Sequence, residues 1–221
     1  MGVSRSTIRQ ALQALEDAGL VRRVPGRGGG TFVRQEKLER DLSRVVGVPA
    51  LLAQQGMTAG SRTVSTAMSV ADSDTRAALE LPEGAYVVDI VRLRFADSVP
   101  ISLEHVRLPA DRFAGLLDLP LGGSLYELLE EHYGTVPGDA VEHIEVVPAS
   151  EDEGSILGVA PGAPLLSVAR TTCDQDGVLF EYSHDLFRAD RTSITVRTPA
   201  GRRTRRTGAG RLVQLRERST E

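Results

Sequence analysis

The sequence predicts an α+β chain: an amphipathic helix with a β-hairpin at the start, then an antiparallel sheet flanked by short helices. Three observations predict it. Residues 8–18 place apolar side chains at helical spacing, and two short β-branched runs around a glycine-rich loop follow them. From residue 62 to 198, strand patterns alternate with short helical ones. Within that stretch, one pattern recurs after 78 or 79 residues.

Composition narrows the class. A chain of 221 residues with 41% hydrophobic and 25% charged residues can bury a sizeable core. No apolar run approaches the ~18 residues that a membrane-spanning helix needs. The start, Met1-Gly2-Val3-Ser4-Arg5, lacks the apolar core of a signal peptide, so a cytoplasmic setting is expected. The lone Cys173 can form neither an internal disulfide nor a cysteine-pair metal site. The net charge of −4 is a cancellation. Residues 1–40 carry 8 Lys+Arg against 4 Asp+Glu, residues 41–196 carry 10 against 24, and residues 197–221 carry 8 against 2. Two basic ends around an acidic middle imply that the ends meet something anionic.

The elements follow in order. Ile8, Ala11, Leu12, Leu15 and Ala18 form one apolar stripe, with Ser4 as N-cap and Gly19 as the stop. The polar face of the first turns carries Arg5, Ser6, Thr7, Arg9, Gln10 and Gln13. A helix N-terminus with hydroxyls and two arginines suits the DNA major groove. Backbone N–H groups and hydroxyls hold phosphates there, and Arg reads guanine edges. Leu20–Val24 and Thr31–Val33 bracket Pro25-Gly26-Arg27-Gly28-Gly29-Gly30, where glycines allow close approach to a phosphate. Residues 34–48 read as a linker with an approach strand, and residues 49–56 as a short helix stopped by Gly56.

Then the repeat begins. Leu79, Gly84, Ala85 and Arg92 return as Leu157, Gly162, Ala163 and Arg170. Asp97, Val99, His105, Ala110, Asp111 and Arg112 return as Asp176, Val178, His184, Ala189, Asp190 and Arg191. Each copy reads short helix, turn, strand, Asp-containing turn, strand. Two copies imply a pseudo-two-fold unit whose hairpins share one sheet, with a pocket where the copies meet. Period-2 alternation puts Arg92 and Arg94 on the same face as Val88 and Ile90. Charges on an apolar face call for a bound anion or a buried carboxylate, and Glu104 on the next strand can supply the latter. His105 and His184 occupy equivalent repeat positions, which favours a structural role. His132 and His143 lack metal-ligand spacing, so neither a metal nor a cofactor is expected. Glu151-Asp152-Glu153 suits a helix N-terminus. Residues 199–221 have the composition of a disordered basic tail.

Residues 2–12 (GVSRSTIRQAL), 15–20 (LEDAGL), 26–28 (GRG) and 30–33 (GTFV) resemble the winged helix-turn-helix of GntR-family bacterial transcription regulators. The resemblance implies a partial winged helix-turn-helix, that is, a recognition helix plus a β-hairpin wing. It also implies DNA contacts from Ser4, Arg5, Ser6, Thr7 and Arg9, and a wing tip at Pro25, Gly26 and Arg27. The family carries two further helices before the recognition helix. The expectation is therefore either a start further upstream or a remnant with impaired DNA binding.

Residues from about 45 to 197 resemble the UTRA effector-binding domain of the HutC branch. The strings are residues 81–84 (LPEG), 92–94 (RLR), 99–104 (VPISLE), 124–129 (SLYELL), 177–183 (GVLFEYS) and 187–191 (FRADR). That domain is similar to the chorismate lyase fold, an antiparallel sheet flanked by helices. Carried over by motif, the effector pocket would use Arg92, Arg94, Glu104, Ser124, Tyr126 and Glu181, with Ser61 beside them. Two arginines can grip a phosphate or carboxylate, and the glutamates can accept from hydroxyls or an amine. The organisation this implies is residues 1–34 partial winged helix-turn-helix, 35–48 linker, 49–198 UTRA domain and 199–221 tail. The implied protein is a homodimeric cytoplasmic regulator, a repressor. Its affinity for double-stranded operator DNA responds to a small anionic metabolite, without catalysis. Two other outcomes stand beside it: an effector-binding module that has lost DNA binding, and an enzyme of the chorismate lyase type.

Overall fold

The structure is a computed structural model and describes residues 3–17, 21–26, 29–33 and 37–198. Ala18, Gly19, Arg27 and the tail at 199–221, all of which carried expectations, lie outside the described residues.

The chain opens with helix α1 (Arg5–Asp17). Ser4 caps it, as its Oγ accepts from Thr7 N at 3.1 Å. Strands β1 (Val21–Val24) and β2 (Gly30–Val33) form the antiparallel hairpin. Glycine is required at its tip. A Cβ on Gly29 would fall 2.0 Å from the Val24 carbonyl oxygen, and Gly26 holds φ at +109°. Arg23 ties the hairpin to the helix through Glu16 at 3.2 Å and the Arg9 carbonyl at 3.4 Å.

After β3 (Leu38–Asp41) and α2 (Val48–Gln54) come β4 (Ala59–Val70), α3 (Ser73–Leu79), β5 (Tyr86–Ala96) and β6 (Val99–Pro109). A short 3₁₀ turn (Leu116–Asp118) leads to α4 (Leu125–Tyr133) and β7 (Pro137–Pro148). The chain ends with α5 (Glu151–Leu157), β8 (Pro164–Asp174), β9 (Leu179–Arg188) and β10 (Thr192–Thr195). Six strands make one antiparallel sheet in the order β4-β5-β6-β9-β8-β7. The repeat is visible in that order. Each copy supplies three neighbouring strands, and the two copies meet where β6 pairs with β9. Helix α3 of the first copy packs on β9 of the second, and α5 of the second packs on β6 of the first.

The two faces of the sheet differ. One is covered by α3 and α5, where Leu157 of α5 packs with Leu93 and Leu165 of the sheet. The other carries two apolar clusters. Val88, Ile90 and Leu108 pack under Leu125 and Leu129 of α4. Ile101, Val168 and Phe187 pack under Leu38 of β3 and Leu51 and Leu52 of α2. A band of buried polar side chains lies on this face. Strand β3 reaches its place by pairing in parallel with β10, with Thr195 Oγ1 donating to Glu39 at 2.6 Å.

Candidate functional site

Register determines which side chains meet. On the face covered by α2 and α4, Arg92 of β5 stands opposite Glu104 of β6, and Glu104 stands opposite Asp185 of β9. One step along, Ser61, Arg94, Ser102 and Phe187 form the next row across β4, β5, β6 and β9. One step the other way, Ser183, Arg170 and Glu142 line up across β9, β8 and β7. The alternation that put Arg92 and Arg94 on an apolar face holds. The strand is interior, second from the edge, so these charges are far more costly to bury than at an edge.

Both guanidinium groups converge on one oxygen. Arg92 Nη2 lies 2.8 Å, and Arg94 Nε 3.0 Å, from Glu104 Oε2. Arg92 Nη1 donates to the Leu121 carbonyl at 3.1 Å, and Arg94 Nη1 to that of Gly123 at 3.1 Å. All three side chains are buried. Burial pushes the Glu104 carboxyl up, but the two arginines outweigh it and hold it below its ordinary value. Beside this triad, Tyr126 Oη donates to Glu181 Oε2 at 2.5 Å, and Thr172 Oγ1 donates to the same oxygen at 2.7 Å. Burial, then the Glu181 charge, push the Tyr126 hydroxyl far up, so it is a donor at any ordinary pH.

These groups line one cavity, together with Gly47, Val48 and Pro49, Arg170 and Asp185. Five of the seven expected effector residues therefore come together: Arg92, Arg94, Glu104, Tyr126 and Glu181. Ser124 does not line the cavity; it is the N-cap of α4, accepting from Glu127 N at 3.4 Å. Ser61 does not line the cavity. Its Oγ is buried opposite Arg94 with no hydrogen-bond partner. The cavity has about 30 Å³ of free volume. That is space for about two water molecules at roughly 10–15 Å³ each, and too little for a metabolite.

Arg170 and Asp185 were not among the expected residues. Arg170 was within reach, because it is the repeat counterpart of Arg92. It donates to Glu142 Oε1 at 2.6 Å and to Tyr126 Oη at 3.2 Å. Glu142 Oε1 also takes Arg40 of β3, at 2.9 Å, while Arg40 lies 4.5 Å over the Phe187 ring. Asp185 had no signal beyond sharing a face with Glu181 by period 2. Burial, then the Glu104 charge, push its carboxyl up to about 7, although Arg170 and Arg40 pull it down.

At the other end of the chain, Arg5, Ser6 and Arg9 are exposed on α1. The hydroxyls of Ser4, Ser6 and Thr7 cluster at 2.7 and 2.8 Å around the helix start. Pro25 and Gly26 are exposed at the hairpin tip. None of the α1 side chains is buried among the described residues, Ile8 being 50% exposed. Among the described residues, no group of three or more potential metal ligands occurs, and no helix is long and apolar enough to cross a membrane.

Comparison with known proteins agrees with this geometry. Residues 54–193 match the family described as UTRA domain, and residues 1–33 match the bacterial regulatory proteins of the gntR family. The chain is 33% identical to the HTH-type transcriptional repressor NagR of Bacillus subtilis, over 86% of this chain and 77% of that one. It is 32% identical to the HTH-type transcriptional repressor PhnF of Mycolicibacterium smegmatis, over 87% and 78%. The crystal structure of PhnF from Mycobacterium smegmatis superposes with a TM-score of 0.76 at 30% identity, covering 90% of this chain and 87% of that one. The six-stranded sheet with its helices and the helix–hairpin start thus belong to one known architecture, and the chain belongs to the GntR family of bacterial transcriptional regulators, of the HutC type with a UTRA domain.

Proposed function

We propose that this regulator is a repressor acting as a homodimer in the cytoplasm. Its grip on double-stranded operator DNA is set by a small anionic metabolite in the cavity of the six-stranded sheet. The observation that carries this reading is the charge at Arg92 and Arg94. Two buried guanidinium groups share one carboxylate oxygen, so one positive charge is left over in the cavity wall, where burial weakens screening. An anion there gains bidentate, charge-assisted hydrogen bonds. No chemical step is needed: the effector acts by preferring one of two arrangements of the chain.

The free volume of the cavity implies that the effector enters by moving a wall. Gly47-Val48-Pro49 is the wall segment that leads back to β3. The wall residue Arg170 shares Glu142 Oε1 with Arg40 of that strand. Strand β3 follows the hairpin, so displacing it shifts the helix and hairpin that would hold DNA. In a dimer, that shift alters the spacing of two half-site readers.

The test is an electrophoretic mobility shift with the intergenic DNA upstream of the gene, using this chain and an N-terminally extended form. The extended form is expected to bind at low salt and to be released by the effector. Arg92→Ala is expected to bind DNA but resist release. No binding by either form at low salt overturns the reading. A second reading, an effector module without DNA binding, is favoured by the exposed apolar stripe of α1. Thermal stabilisation by small anions, with no DNA bound by any form, would select it.

A further inference from the structure

The charge on the cavity wall is uneven. On the β5–β6 side, Arg92 and Arg94 share Glu104, which leaves one positive charge in excess. On the β9–β8 side, Arg170 and Arg40 face Glu142, Glu181 and Asp185, which leaves one negative charge in excess when Asp185 is ionised. Glu142 and Glu181 are engaged by donors, as described above. Asp185 is the exception. It lines the cavity, is 3% exposed, and its Oδ1 meets no donor among the described residues. A buried carboxylate oxygen without a donor is costly to keep, and a ligand that donates to it removes that cost.

We propose, resting on the anion-responsive reading above, that the effector is a zwitterion. Its anionic group lies against Arg92 and Arg94, and a protonated amine on a short spacer donates to Asp185. A second anionic group at that end is disfavoured. Arg170 already holds Glu142, and the newcomer would face Glu181 and Asp185. The register sets the spacer. Arg92, Glu104 and Asp185 stand in one row across three adjacent strands, so the two ends lie roughly 10 Å apart at the backbone. The guanidinium groups reach over to Glu104, one strand from Asp185, which shortens that gap to roughly 5 Å, about the length of a two- to four-carbon chain.

Proton linkage separates this ligand from a plain anion. The charged or titratable groups facing Asp185 are Arg92 and Arg94 on β5, Glu104 on β6, Glu181 on β9, Arg170 on β8, Arg40 on β3 and Tyr126 on α4. A ligand ammonium favours the ionised form of Asp185, so such a ligand binds more tightly as pH rises from 6 to 8. A plain anion adds like charge and favours the protonated form, so it binds more tightly as pH falls over the same range.

The experiment is titration calorimetry on the full chain with two probe series. Aminoalkyl phosphates and ω-amino carboxylates with two to four carbons are each measured beside the matching alkyl phosphate or carboxylate. The expected result is at least one amine-bearing probe that binds about tenfold tighter than its counterpart at pH 8. Asp185→Asn is expected to erase that preference while still binding the alkyl anion. Across the carboxylate series, the preference is expected to shrink from pH 8 to pH 6. If the alkyl anions bind and no amine improves on them, the zwitterion inference is overturned and the anion reading stands. Retention of the preference in Asp185→Asn overturns it equally. If neither series binds, both fail. The comparison of wild-type probes decides the matter even if the variant does not fold.

Discussion

At the residue scale, the site rests on Glu104. Replacing it by Gln leaves two buried guanidinium groups without their counter-charge, and removing one partner of a buried pair costs about 3–5 kcal/mol. Glu104→Gln is therefore expected to unfold at lower urea concentration than the wild type. Inorganic phosphate, by supplying the missing charge, is expected to restore more stability to the variant than to the wild type. Denaturation curves with and without phosphate check this, and equal shifts for both proteins would count against an anion at this pair. The two buried acids have opposite pH signatures. The Glu104 carboxyl is held low, so its contribution is present above its unfolded pKa and is lost as pH falls through the folded value. The Asp185 carboxyl is raised to about 7, so its contribution falls as pH rises from the ordinary carboxylate range to about 7 and is level above that, where the carboxyl is ionised in both folded and unfolded chains. Asp185→Asn is expected to gain stability over the wild type, by more at pH 8 than at pH 5. Alternation and spacing in the sequence brought out Arg92, Arg94 and Glu104, because a strand's period is two and the next strand is a short turn away. Asp185 stayed hidden because its role depends on a pairing between β6 and β9 some 80 residues apart, which no local pattern encodes.

At the element scale, most boundaries were readable because their stop signals are local. Ser150 and Glu153 form a full capping box at α5, with bonds of 3.2 and 2.8 Å, so the acidic triplet marks a helix start as expected. The Asp97 turn between β5 and β6 also falls where an Asp was read as a turn. Asp97 and Ser98 both take positive φ, and Asp97 Oδ1 accepts from Thr58 N at 2.9 Å. What the local pattern did not reveal is the docking of β3. Residues 34–48 were expected to hold an approach strand, but its partner, β10, lies about 150 residues away and pairs in parallel. Besides the ladder, strand β3 is held by the buried Leu38, by Thr195 Oγ1 on Glu39, by the Gln55 side chain bracketing Glu39, by Arg197 on Asp41, and by Arg40 on Glu142 and Phe187. Arg40→Met keeps the volume over Phe187 and removes the ion pair. It is expected to speed amide exchange at Leu38 and Leu42, whose N–H groups donate to Arg191 and Thr195 carbonyls, about tenfold or more. The interior strands β5 and β6 should be unaffected. Uniform acceleration would mean that Arg40 supports the whole sheet and not this strand alone.

At the scale of the whole molecule, the division of charge carries the functional argument that the net value conceals. The basic head carries the exposed arginines of α1, and the acidic middle contains a cavity whose wall keeps its arginines buried. Salt dependence tests the head. Each phosphate contact contributes about 0.9 to the slope of log K against log salt, so losing Arg9 should lower that slope by about one if it meets a phosphate. Deleting residues 199–221 should leave the slope unchanged if the tail is only a solubilising segment. The coupling between head and cavity yields the stricter test, since thermodynamic linkage is reciprocal. If a saturating effector weakens operator binding about thirtyfold, saturating operator must weaken effector binding by the same factor. Calorimetric titration of effector into the protein, with and without an operator duplex, measures the second factor; mobility shifts measure the first. Arg40→Met should pull both factors towards one together while leaving operator affinity without effector nearly intact. The loss of Arg40 also removes a positive charge that acts on Asp185, so the coupling factors and not the bare effector affinity carry the test. Unchanged factors in the variant would mean that the shared Glu142 oxygen carries no signal between the two sites.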